Sequence, residues 1–212
     1  MRTSELIYAL AADAATPPTR LGRAFAVGLA LGMALAGLVF AVKLGPRPDF
    51  VDALGTLRFP FKFVVTCAFG AAAALLALRI ARPGASLRAG LIALGLAAAL
   101  LAVGVAAELA VTPASSWMPR LIGRNWLVCL INVPILSALP LGALLMALRR
   151  GAPASPTRAG AVAGVLAGAM GATFYAAQCP DDSPLFVAVW YTLAVALVTI
   201  AGAVAGSRAL RW

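Results

Sequence analysis

Three cysteines, Cys67, Cys129 and Cys179, are the most reactive side chains in a sequence of 212 residues that contains no histidine. A thiol can join a second thiol in a disulfide, ligate a soft metal ion as thiolate, or be oxidised, and its compartment and access decide which. Cys179 opens the segment Cys179-Pro180-Asp181-Asp182-Ser183-Pro184, which sets two carboxylates beside the thiol in a proline-bounded turn. Asp181 and Asp182 could assist metal capture, although Asp182 is read first as a helix cap through its side-chain oxygen. Cys129 follows a basic and aromatic stretch containing Trp117, Arg120, Arg124 and Trp126. Arginines near Cys129 would lower its pKa and favour the thiolate, and would also draw an oxyanion to the site. Interfacial anchoring by Trp and snorkelling Arg explains the same residues without chemistry. A free cysteine also serves as a small buried hydrophobe, and Cys67 is read that way. With no histidine and only seven Asp and Glu, histidine acid/base catalysis, histidine metal sites and most hydrolase constellations are excluded. No enzyme and no resident cofactor are expected.

The elements that must position the thiols are hydrophobic helices. The chain is 63% hydrophobic and 11% charged, whereas a soluble domain is roughly a quarter charged. About 20 apolar residues span a hydrocarbon layer as a helix. Six stretches reach that length, near 24–42, 59–78, 89–107, 126–147, 159–178 and 185–206. The fold class is therefore all-α: a polytopic membrane protein with a bundle of six transmembrane helices. The connectors are too short for a further domain, so the organisation is a segment 1–23 followed by a transmembrane domain 24–212. The first run lies too far in, and is too long, for a usual signal-peptide core, and is read as a retained helix.

Charge sets the orientation. The net charge of +10 could suggest nucleic acid, but placement assigns it to topology. One face holds eleven cations: Arg2, Arg20, Arg23, Arg79, Arg82, Arg88, Arg149, Arg150, Arg158, Arg208 and Arg211. The other holds six, Lys43, Arg47, Arg58, Lys62, Arg120 and Arg124, together with five of the seven acids. By the positive-inside rule both termini are cytoplasmic, and no direct nucleic-acid partner is expected. Cys129 and Cys179 then meet at one periplasmic rim, from consecutive helices. Lys62 and Glu108, at the outer ends of their helices, can reach the interface or pair with each other.

Three further features bear on packing and partners. The GxxxG spacings at Gly28 and Gly32, at Gly160, Gly164 and Gly168, and at Gly202 and Gly206 allow close contact between helix backbones. Pro134 and Pro140 should bend the fourth helix or open its ladder, and would suit a hinge. Leu6, Ile7 and Leu10, among polar Thr3, Ser4 and Glu5, form a candidate amphipathic turn that would order on a membrane or in a protein groove.

The run Trp117-Met118-Pro119-Arg120-Leu121-Ile122-Gly123-Arg124-Asn125-Trp126, with Cys129, Pro134, Pro140 and Leu148-Arg149-Arg150-Gly151-Ala152-Pro153, resembles the NrsF family of multi-pass bacterial anti-sigma factors. The resemblance continues through Tyr175, the Cys179 to Pro184 segment, Trp190-Tyr191 and the closing Arg208 and Arg211-Trp212. It covers residues 117–212 well and the earlier half mainly by helix count. It implies six helices in the bacterial inner membrane and cytoplasmic sequestration of an extracytoplasmic-function sigma factor. It also implies release when two outer cysteines, matching Cys129 and Cys179, meet heavy-metal or oxidative stress. Cys67 has no counterpart in it.

These readings give an anti-sigma factor whose partners are a sigma factor and the lipid bilayer. Sensing and transient metal ligation fall to Cys129 and Cys179, with Asp181, Asp182, Arg120 and Arg124 auxiliary. Leu6, Ile7 and Leu10 are the candidate partner contacts. The alternative is a small metal or oxyanion transporter, which would need polar groups at midplane beyond Asn132 and Ser137. A membrane thiol oxidoreductase would need a CxxC motif and a second redox pair.

Overall fold

The computed structural model describes Thr3, Glu5 and residues 21–211, and the described residues form helices and connectors with no strand. The candidate contacts Leu6, Ile7 and Leu10 lie outside the described residues. Helices α1 (Leu21–Lys43), α3 (Arg58–Ile80), α4 (Arg88–Val111), α6 (Trp126–Leu148), α7 (Pro156–Ala176) and α8 (Pro184–Ala209) are each long and apolar enough to cross a membrane. At about 1.5 Å per residue, even the 21 residues of α7 span about 30 Å. Two short helices, α2 (Phe50–Leu54) and α5 (Trp117–Ile122), lie in the first and third connectors.

Helix α7 is the axis of the bundle. It packs against α8, α6 and α3, while α1 lies mainly on α6 and α4 on α3. Ala and Gly dominate α7, so its neighbours approach close to its backbone. A Cβ placed on Gly160 would strike the backbones of Gly202 and Gly206, and one on Gly164 would strike Val198 and Thr199. Gly28 meets Ala147 and Ala143 of α6, and Gly32 meets Pro140, so all three glycine spacings form helix contacts. The fourth span runs as one helix through both Pro134 and Pro140, with Pro140 wholly buried against its neighbours. The polar groups expected near midplane are satisfied within this helix: Ser137 donates to the Val133 carbonyl at 2.6 Å and Asn132 to that of Val128 at 3.0 Å.

Alternating crossings divide the connectors between two ends. The thiol end carries residues 44–57, 112–125 and 177–183; the arginine-rich end carries residues 81–87 and 149–155, the start of α1 and the finish of α8. Ser155 caps α7 and Ser183 caps α8, each followed by proline at the first helical position, where a missing N–H costs nothing. Ser183, rather than Asp182, therefore supplies the cap of the last span, and Asp182 is released for another task. Residues Val187–Tyr191 of α8 form a π-helical turn. Such turns re-aim side chains inside an otherwise regular helix.

Candidate functional site

Cys129 sits about one turn into α6, and Cys179 sits in the turn between α7 and α8. Both are free thiols with no solvent exposure. They belong to one buried cluster with Tyr175, Ala176, Phe186, Val187 and Tyr191. The Tyr175 and Tyr191 rings lie 5.7 Å apart, and Phe186 meets Tyr191 edge-on at 6.2 Å. Tyr191, the last residue of the π-helical turn, enters the cluster, while Trp190, one residue earlier, donates to the Leu121 carbonyl at the end of α5 at 2.8 Å. Trp190 also packs on Trp126, with ring centroids 5.2 Å apart. The Tyr191 hydroxyl is buried with no nitrogen or oxygen partner among the described residues and lies against the Cys179 thiol, a weak hydrogen-bond partner.

The turn carrying Cys179 is held by charge from the first connector and from α3. Asp182 accepts from Lys62 Nζ at 2.6 Å and from Arg47 at 2.9 Å. Lys62 also donates to the Cys179 carbonyl at 2.8 Å, and Arg47 reaches that carbonyl at 3.4 Å. Both cations lie over the Phe59 ring, Lys62 at 5.0 Å and Arg47 at 5.4 Å from its centroid. Lys62 has no exposed surface, so its charge depends entirely on these partners. The bond from Arg47 holds the exposed Asp49 carboxyl below its ordinary range, and the bond to Asp49 is the main cause that raises Arg47.

Asp181 does different work. Its carboxylate accepts from the backbone N–H of Arg124 and of Asn125, and from the Asn125 side chain at 3.1 Å, just before α6 begins. Gly123, at φ 61°, makes the approach possible, because a Cβ there would collide with Phe186 and Asp181. The entry to α6, which carries Cys129, is thus tied to the turn that carries Cys179. Tyr175 adds a longer bond, donating to the Asn125 carbonyl at 3.4 Å.

The arginine effect on the thiols, the alternative to interfacial anchoring, is not found. Arg120 turns to Glu108 at 2.7 Å, where Arg58 also binds at 2.9 Å, and Arg124 lies on the exposed surface. Burial instead raises the pKa of Cys179, with the Lys62 ammonium opposing it, so the thiol is held protonated. Lys62 and Glu108 pair with separate partners and not with each other. Cys67 is exposed on α3. Among the described residues no three or more of His, Cys, Asp and Glu are grouped to hold a metal ion, which leaves two thiols as the available soft ligands. Arg58, Arg120 and Arg124, with Pro180, Asp181, Asp182 and Ser183 of the turn after Cys179, line a cleft of about 940 Å³.

The Glu108 network gives a first expected result. Its carboxylate is 3% exposed, but Arg58 and Arg120 are 43% and 34% exposed. Glu108→Gln therefore frees arginines that can turn to water, and should cost about 1.5–3 kcal/mol, the value of hydrogen bonds to a charged group. Thermal unfolding of the purified variant in detergent measures this.

The signal for much of this site was weak in the sequence. Arg47 lies between two prolines and beside Asp49, a pattern that marks a rigid turn and not a partner 135 residues away. Nor does any residue pattern announce the π-helical turn.

The comparisons agree in kind. The family model NrsF, described as negative regulator of sigma F, matches residues 10–212. The chain is similar to the anti-sigma-F factor NrsF of Caulobacter vibrioides (strain NA1000 / CB15N), at 36% identity over the whole of both chains. It is also similar to the probable anti-sigma-F factor NrsF of Azospira oryzae, at 30% identity over the whole of both. No solved structure matches.

Proposed function

The chain belongs to the NrsF family of negative regulators of sigma F, and from that premise we propose that it is a bacterial inner-membrane anti-sigma factor whose Cys129 and Cys179 sense stress. Its role is regulatory, and the partner is a sigma factor. In this reading the sigma factor is of the extracytoplasmic-function type and is held at the arginine-rich end, which faces the cytoplasm. Segment 1–23, with Leu6, Ile7 and Leu10, contributes the contact. The excess of arginine at that end supports the orientation.

The observation that carries the sensing reading is the pair of buried thiols in one cluster, with the buried Tyr191 hydroxyl against Cys179. At rest both thiols are buried away from water, and Cys179 is held protonated. A cadmium ion that enters forms two S–Cd bonds and displaces two protons to water. The product is polar and lies in an apolar cluster, so the packing of the thiols must change. The Tyr191 hydroxyl supplies a donor for it. Cys129 moves α6 directly. Cys179 acts through its carbonyl on Lys62 of α3 and on Arg47, and through Asp181 on the start of α6. Helix α6 then carries the change to the connector Arg149 to Arg158 at the opposite end.

Gentle detergent extraction of the tagged protein, followed by mass spectrometry of what co-purifies, tests the anti-sigma role. An enriched sigma factor is expected. Its absence, with the membrane protein intact and the sigma factor present in the lysate, would move the assignment to transport.

A further inference from the structure

The turn over the thiols is tied shut at its polar end, Asp182 to Lys62 and Arg47 and Asp181 to Asn125, and neither sulfur has exposed surface. The side of the bundle is different. Helix α4 packs on α3 and on the first turns of α8, and α3, α4, α7 and α8 together line a cavity of about 630 Å³. Gly95 and Ala98 of α4 and Thr192, Ala196 and Ile200 of α8 line it and are exposed, so it opens on the bundle surface near the middle of both spans. No charged side chain lines it. Its wall is shared with the thiol cluster, for Val65, Leu101, Ala172, Val187 and Tyr191 belong to both. Tyr191 is the direct link, since it lines the cavity while its hydroxyl lies against the Cys179 thiol.

We propose that this cavity is the entry by which uncharged, lipid-soluble electrophiles of the α,β-unsaturated carbonyl class reach Cys179 from the bilayer. An ion in the hydrocarbon layer loses hydration that an apolar wall cannot replace, so the lining admits neutral compounds and excludes charged ones. Cadmium, a hydrated ion, is outside this class. The thiol behind the wall fixes the chemistry. It adds across the activated carbon–carbon double bond: one S–C bond forms, the π bond is lost, and the thiol proton ends on the neighbouring carbon. No oxidant or reductant is consumed. Dissolution in the bilayer concentrates such compounds at the mouth of the cavity, which offsets the low reactivity of a buried, protonated thiol. The inference rests on the sensing reading for its purpose, but labelling of the thiol needs no sigma factor, so either can fail alone.

The test places the full-length protein in phosphatidylcholine nanodiscs, where both faces meet the buffer, and follows alkylation of each cysteine by peptide mass spectrometry. The probes are N-ethylmaleimide and a maleimide carrying a fixed sulfonate, each scaled to its rate with free cysteine. The neutral probe should modify Cys179 about 100-fold faster, which corresponds to the penalty for a charge within a bilayer. Gly95→Leu should slow the neutral probe at Cys179 about tenfold, as overfilling an apolar pocket does. A Cβ at Gly95 meets nothing within 4 Å, so the new side chain has room in the cavity. Gly142→Leu, equally open but on α6 and outside the cavity, should label as the wild type does. Ala98→Leu, on the same wall, should repeat the effect and replaces Gly95→Leu if that variant has a lowered thermal midpoint. Cys67, exposed on α3, reports that the neutral probe has entered the bilayer. Equal scaled rates of the two probes at Cys179 overturn the proposal. So does a stable cavity variant that labels as fast as Gly142→Leu, or a Cys179 left unmodified while Cys67 reacts.

Discussion

Cys129→Ser/Cys179→Ser should hold its sigma factor as the wild type does and fail to release it when cadmium is added. Serine is close to cysteine in size, and each new hydroxyl has an acceptor at hand. At residue 179 it inherits the contact that the thiol makes with the Asp181 carbonyl at 3.9 Å. At residue 129 it can bond back to the carbonyl of Asn125, which already accepts the Cys129 backbone N–H at 2.8 Å. The fold, and with it the binding surface at the opposite end, should persist. What is lost is soft-metal affinity, since a serine hydroxyl stays protonated and is a poor ligand for cadmium. Coupling between distant sites is typically worth a factor of about 5–150 in affinity, and that whole factor should vanish. Affinity of the detergent-solubilised protein for its sigma factor, with and without cadmium, reads it. If a bridging ion joins the two sulfurs, either single variant should fail nearly as completely as the double. Normal release by the double variant would sink the sensing reading.

Removal of the Asp182 carboxylate should have the largest effect on stability. Lys62 is entirely buried, and Asp182→Ala leaves its ammonium with the Cys179 carbonyl and the Phe59 ring alone. Stranding one partner of a buried ion pair costs about 3–5 kcal/mol. The contrast with Glu108 is instructive, because there the surviving arginines are part-exposed and can reach water. In the double variant Lys62→Met/Asp182→Leu no charge is stranded, and Arg47 keeps Asp49 at 2.6 Å, so most of the loss should be recovered. Thermal and denaturant unfolding in detergent compare the two. The same turn carries Cys179, so Asp182→Ala should also release sigma factor partly without cadmium, whereas the double variant should regain much of its hold. A fully stable Asp182→Ala protein would mean that the clasp contributes little.

The spans are legible in the residue order because hydropathy is a local property: a run of apolar residues must leave water wherever the rest of the chain lies. Six runs became six helices, each within a few residues of its expected limits, and the glycine spacings became helix contacts because a missing side chain permits only close approach. That Cys129 and Cys179 lie at one end of the bundle was legible for the same reason, since both fall near helix ends on one side. Tertiary structure alone decided their surroundings. Lys62 meets the Cys179 carbonyl across 117 residues, Arg47 meets Asp182 across 135, and Arg58 meets Glu108 across 50. A charge in a sequence shows that a partner is needed once it is buried, but not which one, because ion pairing depends on distance in space. Composition therefore left two readings of Arg120 and Arg124 open, interfacial anchoring and activation of a thiol. Packing spent Arg120 on Glu108, left Arg124 exposed, and surrounded the sulfurs with apolar and aromatic side chains that keep Cys179 protonated.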